Sequence, residues 1–255
     1  MKNEYECAVI TGASSGIGEA LAYRFASAGV KVALLARRTG RIESTAEKIR
    51  NAGGQAIAIQ CDVTDKNATQ SAIEETRKQL GPIDLLIANA GIGQEITAEK
   101  IDLNKLELTY QVNVFGAIYS IAAVLPEMIE RQRGHIVGIS SHSAYRAYPK
   151  IMGYSGTKAA LNREFEAMRN RLYKWNIDFT TICAGFIRTE MTEKADIPQP
   201  MRMELEPATD RIFRAILKRK KFYSFPAIAA WYHRFAGIMP PAIFDPIARR
   251  LDAME

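Results

Sequence analysis

The chain has 255 residues, of which 47% are hydrophobic and 24% are charged, and its formal net charge is +6. These are ordinary values for a globular protein, and they exclude collagen-like, low-complexity and disordered chains. The three cysteines and three histidines form no CxxC or Cys/His cluster. We therefore expect no metal site, and free thiols suited to a reducing cytoplasm.

The first residues, "MKNEYECAVITG", carry charges where a signal peptide needs an apolar stretch. No uninterrupted apolar run is long enough to span a bilayer, so we expect no transmembrane segment. The basic residues are spread along the chain and concentrate only at 37–41 and 218–221. The net charge therefore does not indicate a nucleic-acid partner.

Short apolar or β-branched runs alternate along the chain with longer segments of helical periodicity. Candidate strands lie at 7–11, 31–36, 56–60, 83–88, 135–140 and 178–183, with a weaker seventh at 221–225. Between them, residues such as Ile42, Ala46 and Ile49 recur at helical spacing. Strands that barely alternate, each followed by a helix, are typical of a parallel sheet covered on both faces. We predict one Rossmann-type α/β domain with a doubly wound parallel sheet of about seven strands.

The first strand leads directly into "TGASSGIG" at 11–18, with three glycines at the strand-to-helix turn. Glycine lets the backbone approach a pyrophosphate, whose charge then meets the amides and the dipole of the following helix. The GxxxGxG spacing differs from the commoner GxGxxG, and a glycine-rich turn without a ligand is the alternative. Its position at the first strand–helix turn favours a dinucleotide. The candidate residues are Gly12, Ser14, Ser15, Gly16, Ile17 and Gly18.

The second strand ends at Ala36 and is followed by Arg37 and Arg38. An acidic residue here would bind the ribose 2′-hydroxyl and repel a 2′-phosphate. A guanidinium fork instead matches phosphate geometry, so we predict NADP(H) as the cofactor. A solvated basic corner is the alternative, and we expect Arg41, one helical turn further, to be solvated.

Two later strand ends supply further candidate cofactor contacts. Asp62, in "CDV" after the third strand, could accept from the adenine amino group, or could cap the next helix as Thr64 or Asp65 also could. The "ANAG" turn at 88–91 could let a ribose pass close to the backbone, or could be an ordinary turn. The candidates at these two positions are Asp62, Val63, Asn89, Ala90 and Gly91.

"YSGTK" places Tyr154 and Lys158 four residues apart, and therefore on one face of a helix. Ser141 lies thirteen residues before Tyr154, at the end of the fifth strand, where parallel sheets bind ligands. Because neighbouring strand residues point to opposite faces, only one of Ser140 and Ser141 can face that crevice.

From about residue 5 to 225 the chain resembles the short-chain dehydrogenase/reductase family. The resemblance rests on seven motifs in the correct order: "TGASSGIG", "CDV", "ANAG", "VNVFG" (112–116), "SS" (140–141), "YSGTK" and "AGFIRT" (184–189). The chain departs from the family's common pattern at Ala88, Ala144 and Ala184, which affects loop shape. The resemblance implies a catalytic set of Asn113, Ser141, Tyr154 and Lys158. It also implies cofactor contacts by Tyr154, Lys158, Gly185, Ile187 and Thr189, and a homo-oligomer, either a dimer or a tetramer.

The expected reaction is hydride transfer between nicotinamide and a carbonyl or secondary alcohol. Tyr154 would be the general acid, and Ser141 would polarise the carbonyl. A nearby Lys158 ammonium would lower the pKa of Tyr154 from about 10 to about 7. Asn113 would hold a proton-relaying water, or would be a helix kink or a buried amide. A non-catalytic NADP(H)-binding regulator on the same scaffold is the alternative to an enzyme.

Substrate choice would depend on the loop at about 186–200 and on residues after Ser141, where Arg146 either meets an acidic group or is solvated. We assign residues 1–225 to the dinucleotide-binding catalytic part and 226–255 to a C-terminal extension of the same domain. That extension is apolar, aromatic and basic, and Phe225, Ile228, Trp231, Tyr232 and Phe235 could share one helix face. It could be a lid over lipophilic substrates, a subunit contact, or a weak membrane-surface contact.

Overall fold

The computed structural model describes residues 4–193 and 202–252. The strands are β1 (Cys7–Thr11), β2 (Lys31–Ala36), β3 (Ala56–Gln60), β4 (Leu85–Ala88), β5 (Gly134–Ser141), β6 (Ile177–Ala184), β7 (Phe186–Ile187), β8 (Arg202–Met203) and β9 (Phe222–Phe225). The α-helices are α1 (Gly16–Ser27), α2 (Thr39–Asn51), α3 (Lys66–Leu80), α4 (Leu103–Tyr110), α5 (Gly116–Glu130), α6 (Met152–Leu172), α7 (Leu205–Leu217), α8 (Ala227–Ile238) and α9 (Pro241–Asp252). A π-helical turn, Gln111–Phe115, joins α4 to α5.

Seven strands form one parallel sheet in the order β3-β2-β1-β4-β5-β6-β9. This confirms the predicted Rossmann-type fold, and the weak seventh candidate is β9, paired with β6 at the sheet edge. The strands read as apolar runs because helices bury both of their faces. Every residue of β1 is buried, for example. The two short strands β7 and β8 pair separately beside the main sheet.

Two hydrophobic cores lie on opposite faces of the sheet. One packs α1, α2 and α7 against it through residues such as Leu21, Ile42 and Ile212. The other packs α3, α5 and α6 through residues such as Ile73, Val124 and Phe165. Asp65 caps α3 by accepting from the amides of Asn67 and Ala68 at 2.8 and 3.0 Å. Because the strands are parallel, the carboxyl ends of β1, β2, β4 and β5 all lie at one edge of the sheet.

The continuous helical stretch Leu103–Glu130 is long and apolar enough, by length and composition, to cross a membrane. Half of its most apolar 18-residue segment is buried inside the protein, and helices in protein cores can be equally long and apolar. It packs on α3 and α6 and carries Asn113 to the sheet edge.

Candidate active site

A cleft of about 510 Å³ opens at the carboxyl edge of the sheet. It runs from the ends of β1 and β2 to the ends of β5 and β6. The sequence candidates that line it are Gly12, Ser14, Ser15, Gly16, Ile17, Arg37, Arg38, Asp62, Val63, Asn89, Ala90, Gly91, Ser141, Tyr154, Lys158, Gly185, Ile187 and Thr189. Gly18 and Asn113 are buried behind its wall. The cleft therefore brings together most of the residues that the motifs single out.

The glycine loop is a cradle that side chains would fill. Gly12 and Gly16 have φ of +65° and +59°, which L-residues rarely adopt. A Cβ on Gly12 would lie 2.7 Å from Ala90 Cα, and one on Gly18 would lie 2.6 Å from the Gly12 carbonyl oxygen. Ser15 precedes α1, and among the described residues no side chain caps the amides of that helix. The loop and the open helix end fit a dinucleotide pyrophosphate.

Asn89 and Thr11 brace this loop against the turn after β4. The Asn89 amide nitrogen Nδ2 donates to the carbonyls of Thr11 and Gly12 at 2.9 and 3.2 Å. The Thr11 hydroxyl accepts from the backbone amides of Asn89 and Ala90, both at 3.1 Å. Asn89 thus shapes the cradle through its side chain. Thr11 was missed as a site residue because its role depends on a neighbouring strand 78 positions away.

The arginine turn after β2 lies beside the cradle. Arg38 Nε donates to Ser14 Oγ at 3.0 Å and its Nη2 donates to Ser15 Oγ at 2.6 Å. Its Nη1 pairs with the Glu190 carboxylate at 2.9 Å, and Arg41 reaches the same oxygen at 3.4 Å. Arg41 is exposed, as expected, and shares this ion pair at the surface. The two guanidinium groups beside Glu190 hold the pKa of that exposed carboxyl below its usual range.

Asp62 does not cap the helix that follows it. Its Oδ1 accepts from the amide and the hydroxyl of Thr64 at 3.0 and 2.9 Å, while Asp65 caps α3. Its Oδ2 lies 4.0 Å from Arg37 Nη1 at the mouth of the cleft. Asp62 thus lines the cleft with its carboxylate held by Thr64 and beside Arg37, and a contact to the adenine amino group stays a prediction.

Ser141, Tyr154 and Lys158 meet at the far end of the cleft. Ser141 is hydrogen-bonded to the Tyr154 phenol, and the Ser141 hydroxyl also accepts from the Ser143 amide at 3.2 Å. Lys158 Nζ lies 5.6 Å from the centre of the Tyr154 ring and donates to the Ile139 carbonyl at 2.8 Å. The neighbouring Ser140 is buried, and its hydroxyl donates to the Lys158 carbonyl at 3.4 Å. Ser141 is therefore the serine that contacts the tyrosine.

The pKa of Tyr154 is not lowered in the way that the sequence predicts. Burial raises the pKa of Tyr154, and the Ser141 hydrogen bond opposes that rise only in part. Burial also lowers the pKa of Lys158 to about 8. The expected drop of the Tyr154 pKa to about 7 is therefore absent from the protein alone, because desolvation disfavours both charged forms.

Asn113 is a buried amide in the π-helical turn. Its Oδ1 accepts from the Ile92 amide at 2.8 Å, and its Nδ2 donates to the Ile92 carbonyl at 2.9 Å and to Thr157 Oγ1 at 3.0 Å. Thr157 in turn donates to the Tyr154 carbonyl at 2.7 Å. The side chain thus ties the loop after β4 to the first two turns of α6, which carry Tyr154 and Lys158. A water-holding role for Asn113 stays a prediction.

The segment after β6 forms the roof of the cleft at this end. The Gly185 amide donates to the Phe225 carbonyl at 2.9 Å, and Ile187 is buried between the sheets. The Thr189 amide donates to Thr192 Oγ1 at 3.1 Å, which fixes the turn that carries Glu190. Of the predicted substrate loop at 186–200, residues 194–200 lie outside the described residues.

Two expectations about Arg146 and the C-terminal region are corrected. Arg146 is half-buried, its guanidinium lies 4.3 Å from the centre of the Phe244 ring, and it is not among the residues that line the cleft. Phe225 is a buried residue of β9 and does not belong to a helix face. Trp231 lies on α8 with 73% of its surface exposed, and the role of the C-terminal extension stays a prediction. Within the described residues, no group of three or more His, Cys, Asp or Glu side chains could hold a metal ion.

The parallel sheet with helices on both faces is the Rossmann type of α/β fold, and relatives narrow the class further. The family model described as short chain dehydrogenase matches residues 6–199. An uncharacterized oxidoreductase of Myxococcus xanthus is 35% identical over 247 residues, which cover 97% of this chain and 98% of that protein. A fatty acyl-CoA reductase of Acinetobacter baylyi is 36% identical over 217 residues, covering 84% of this chain and 74% of that protein.

A solved structure has the same fold. The short chain dehydrogenase/reductase of Burkholderia phymatum in complex with NAD superposes with a TM-score of 0.84 at 22% identity, covering 92% of this chain and 93% of that one. The chain belongs to the short-chain dehydrogenase family of oxidoreductases, as the seven motifs predict.

Proposed function

We propose that the protein is an NADP(H)-dependent oxidoreductase that interconverts a carbonyl and a secondary alcohol, with Tyr154 as the general acid and base. One observation carries the proposal. The Ser141 and Tyr154 hydroxyls and Lys158 converge at one end of a cleft, and Arg37, Arg38 and a glycine cradle lie at its other end.

The choice of NADP(H) rests on this chain's own residues. The end of β2 lacks an acid that would bind a 2′-hydroxyl, and two guanidinium groups follow it. Arg38 and Ser14, already hydrogen-bonded at 3.0 Å, would hold a 2′-phosphate, and Arg37 would approach from the cleft mouth. The Burkholderia phymatum structure is a complex with NAD, so the relatives alone do not decide between the two cofactors.

The bound nicotinamide would supply or accept the hydride, and the chain manages the proton and the oxygen. In reduction, negative charge builds on the carbonyl oxygen, where Tyr154 Oη donates a proton and Ser141 Oγ donates a hydrogen bond. Lys158, fixed by the Ile139 carbonyl at 2.8 Å, stabilises the phenolate that remains. Asn113 holds α6 and the turn at Ile92 in register, and so keeps these groups in place.

Burial raises the pKa of Tyr154 in the protein alone, so the phenol is protonated at neutral pH, which is the state that reduction requires. Oxidation needs the phenolate, and the rate of oxidation should therefore rise with pH.

The substrate class is a small-molecule carbonyl or alcohol. The similarity to a fatty acyl-CoA reductase supports including long-chain acyl compounds among the candidates. A cytoplasmic location is part of the proposal, supported by three free cysteines that are all buried. A homo-oligomer is also proposed, by analogy with the family.

The test is cofactor binding and turnover in the purified chain. Binding of NADPH and NADH is measured directly, and cofactor consumption is followed with aldehydes, ketones and long-chain acyl thioesters. Tyr154→Phe should retain NADPH binding and lose about 10²- to 10⁴-fold in turnover, because only the acidic proton is removed. Tyr173→Phe, at an exposed site, is the matched control.

Two results would count against the proposal. Turnover by Tyr154→Phe above about a tenth of the wild-type rate would mean that another group supplies the proton. Tight NADPH binding without turnover on any substrate would instead favour a non-catalytic NADP(H)-binding regulator on the same scaffold.

A further inference from the structure

The C-terminal helix α8 has the reverse of the usual amphipathic pattern. Its inward side carries the small residues Ala230 and Ala236, both buried, together with His233. Its outward side carries Ile228, Trp231, Phe235 and Ile238, which are between 59% and 88% exposed. These four residues follow one another at helical spacing and form a continuous stripe.

The helix α9 extends this surface. Its inward residues Phe244 and Ala248 are buried against Ala236 of α8, and the Phe244 ring lies 5.9 Å from that of Tyr148. Its outward residues include Ile243 and Ile247, both exposed. The C-terminal apolar face is therefore Ile228, Trp231, Phe235, Ile238, Ile243 and Ile247. Six large apolar side chains on adjacent helices exceed the scattered exposure usual for a protein surface.

Basic residues border this face. Arg234 is exposed and lies on α8 three residues after Trp231, and Arg250 continues the row of Ile243 and Ile247 on α9. The two helices contain three arginines and two aspartates, and the basic run at 218–221 ends beside Phe222, whose ring centre lies 5.6 Å from the Arg234 guanidinium.

We propose that the C-terminal apolar face docks on an anionic lipid surface, with α8 and α9 lying in the plane of the headgroups. Apolar side chains that enter a bilayer boundary while flanking arginines meet anionic headgroups are the chemistry of an interfacial helix. The tryptophan and Tyr232 rings suit the boundary, where one part of the ring is apolar and the other is wet.

A second copy of the chain fits this face less well. A symmetric dimer would bring the same surface of each copy together, and with it two segments of like charge. None of the six side chains is among the described residues that line the cleft. An anionic surface satisfies both the apolar and the basic part of the face.

The docking face is one side-chain layer from the active site. The His233 ring of α8 lies 5.0 Å from the ring of His142, which directly follows Ser141. His142 Nε2 is hydrogen-bonded to Ser224 Oγ of β9 at 3.1 Å. An enzyme held in this way would present its cleft close to a bilayer, from which a lipophilic carbonyl compound could enter.

The test is co-sedimentation of the full chain with phosphatidylcholine vesicles, with and without phosphatidylglycerol. At about 50 mM salt the anionic vesicles should bind the protein, and at about 500 mM salt binding should weaken because screening removes the electrostatic part. Trp231→Ala with Phe235→Ala, and separately Arg249→Glu with Arg250→Glu, should each lower the partition coefficient by about tenfold or more.

Matched controls show whether losing an exposed aromatic side chain, or reversing two charges, elsewhere on the surface also weakens vesicle binding. Tyr173→Ala removes an equally exposed aromatic side chain elsewhere, and Lys48→Glu with Lys78→Glu reverses two exposed charges elsewhere. Both controls should bind as the wild type does. Because all substituted side chains are exposed, cofactor binding by every variant should match the wild type and report the intact fold.

Trp231 offers a second readout. The chain has two tryptophans, so Trp175→Phe leaves Trp231 as the only one. Its fluorescence should shift to the blue and be quenched by brominated lipids on anionic vesicles. Absence of vesicle binding at low salt would overturn the proposal, as would equal losses in the controls. A concentration-dependent dimer that Trp231→Ala with Phe235→Ala dissolves, without vesicle binding, would assign the face to a second copy instead.

Discussion

Replacing Lys158 with methionine should make the protein more stable while it removes activity. Burial lowers the pKa of Lys158 from about 10.5 to about 8, so holding the ammonium in the folded state at neutral pH costs about 3 kcal/mol. Methionine has a similar length and no charge, but it forfeits the 2.8 Å hydrogen bond to the Ile139 carbonyl, worth about 1 kcal/mol. The expected gain for Lys158→Met near pH 7 is therefore about 2 kcal/mol.

The pH dependence gives the sharper test. The folded pKa of Lys158 is below its unfolded value, so between about pH 8 and about pH 10.5 the unfolded state binds more protons. Wild-type stability therefore rises through this window relative to Lys158→Met. In urea unfolding, the difference in free energy of unfolding between Lys158→Met and the wild type should therefore shrink as the pH rises from about 7 to about 9.5.

Lys31→Met is the matched control, because Lys31 Nζ also donates to a backbone carbonyl, that of Leu80 at 3.2 Å, from a less buried position. It should show no comparable narrowing. A Lys158→Met variant that is less stable than the wild type near pH 7, or a gap that does not change with pH, would refute the reasoning.

Two further predictions concern the cofactor and the core. Arg37→Ala should weaken NADPH binding by about 1–3 kcal/mol and leave NADH binding nearly unchanged, because it removes a charge-assisted contact to the 2′-phosphate. Arg38→Ala should weaken NADPH binding more than NADH binding but affect both, because Arg38 also donates to Ser14 and Ser15 of the glycine cradle. Equal wild-type dissociation constants for NADPH and NADH would contradict this. Burial, with a smaller contribution from Arg219, lowers the pKa of His135 to about 3. The free energy of unfolding should therefore fall as the pH drops from about 6.5 towards 3, by up to about 5 kcal/mol, because the unfolded state takes up the proton first. Unfolding of His135→Gln in urea between about pH 7 and about pH 4.5 should show a shallower acid loss than the wild type, and parallel curves would exclude His135 as the cause.

The seven sheet strands could be predicted to within two residues at each end because helices cover both faces of the inner strands β1, β2, β4, β5 and β6. A strand buried on both sides must be an apolar run, and such a run is visible in sequence without knowledge of its partners. The same is true of the glycine cradle, since Gly12 needs a positive φ and Gly18 a missing Cβ. Each of these requirements constrains residues within one short stretch of the chain, so the residue types in that stretch are enough to predict it.

The ion pair between Arg38 and Glu190 could not be predicted in this way. The two residues are 152 positions apart, and Glu190 is a single acidic residue in a loop with no periodic context. The outward face of α8 was hidden for a different reason. Both sides of that helix are non-polar in sequence, so helical spacing groups Trp231 with Phe235 but does not say that the alanine side is the one that packs.

Asn113 is a buried amide, which is one of the alternatives that the sequence leaves open, and its water-holding role beside Lys158 stays a prediction. The amide lies in a π-helical turn, and its three hydrogen bonds join the turn after β4, at Ile92, to α6, at Thr157. A buried amide is costly unless each of its polar atoms is paired, so the three bonds make the position of α6 relative to the turn after β4 specific. Burial of Lys158 has the opposite energetic sign, because it destabilises the fold in order to keep an ammonium beside the Tyr154 ring. Asn113 and Lys158 thus act on the same helix with opposite energetic signs, because the paired amide of Asn113 fixes α6 while the buried ammonium of Lys158 on that helix costs stability.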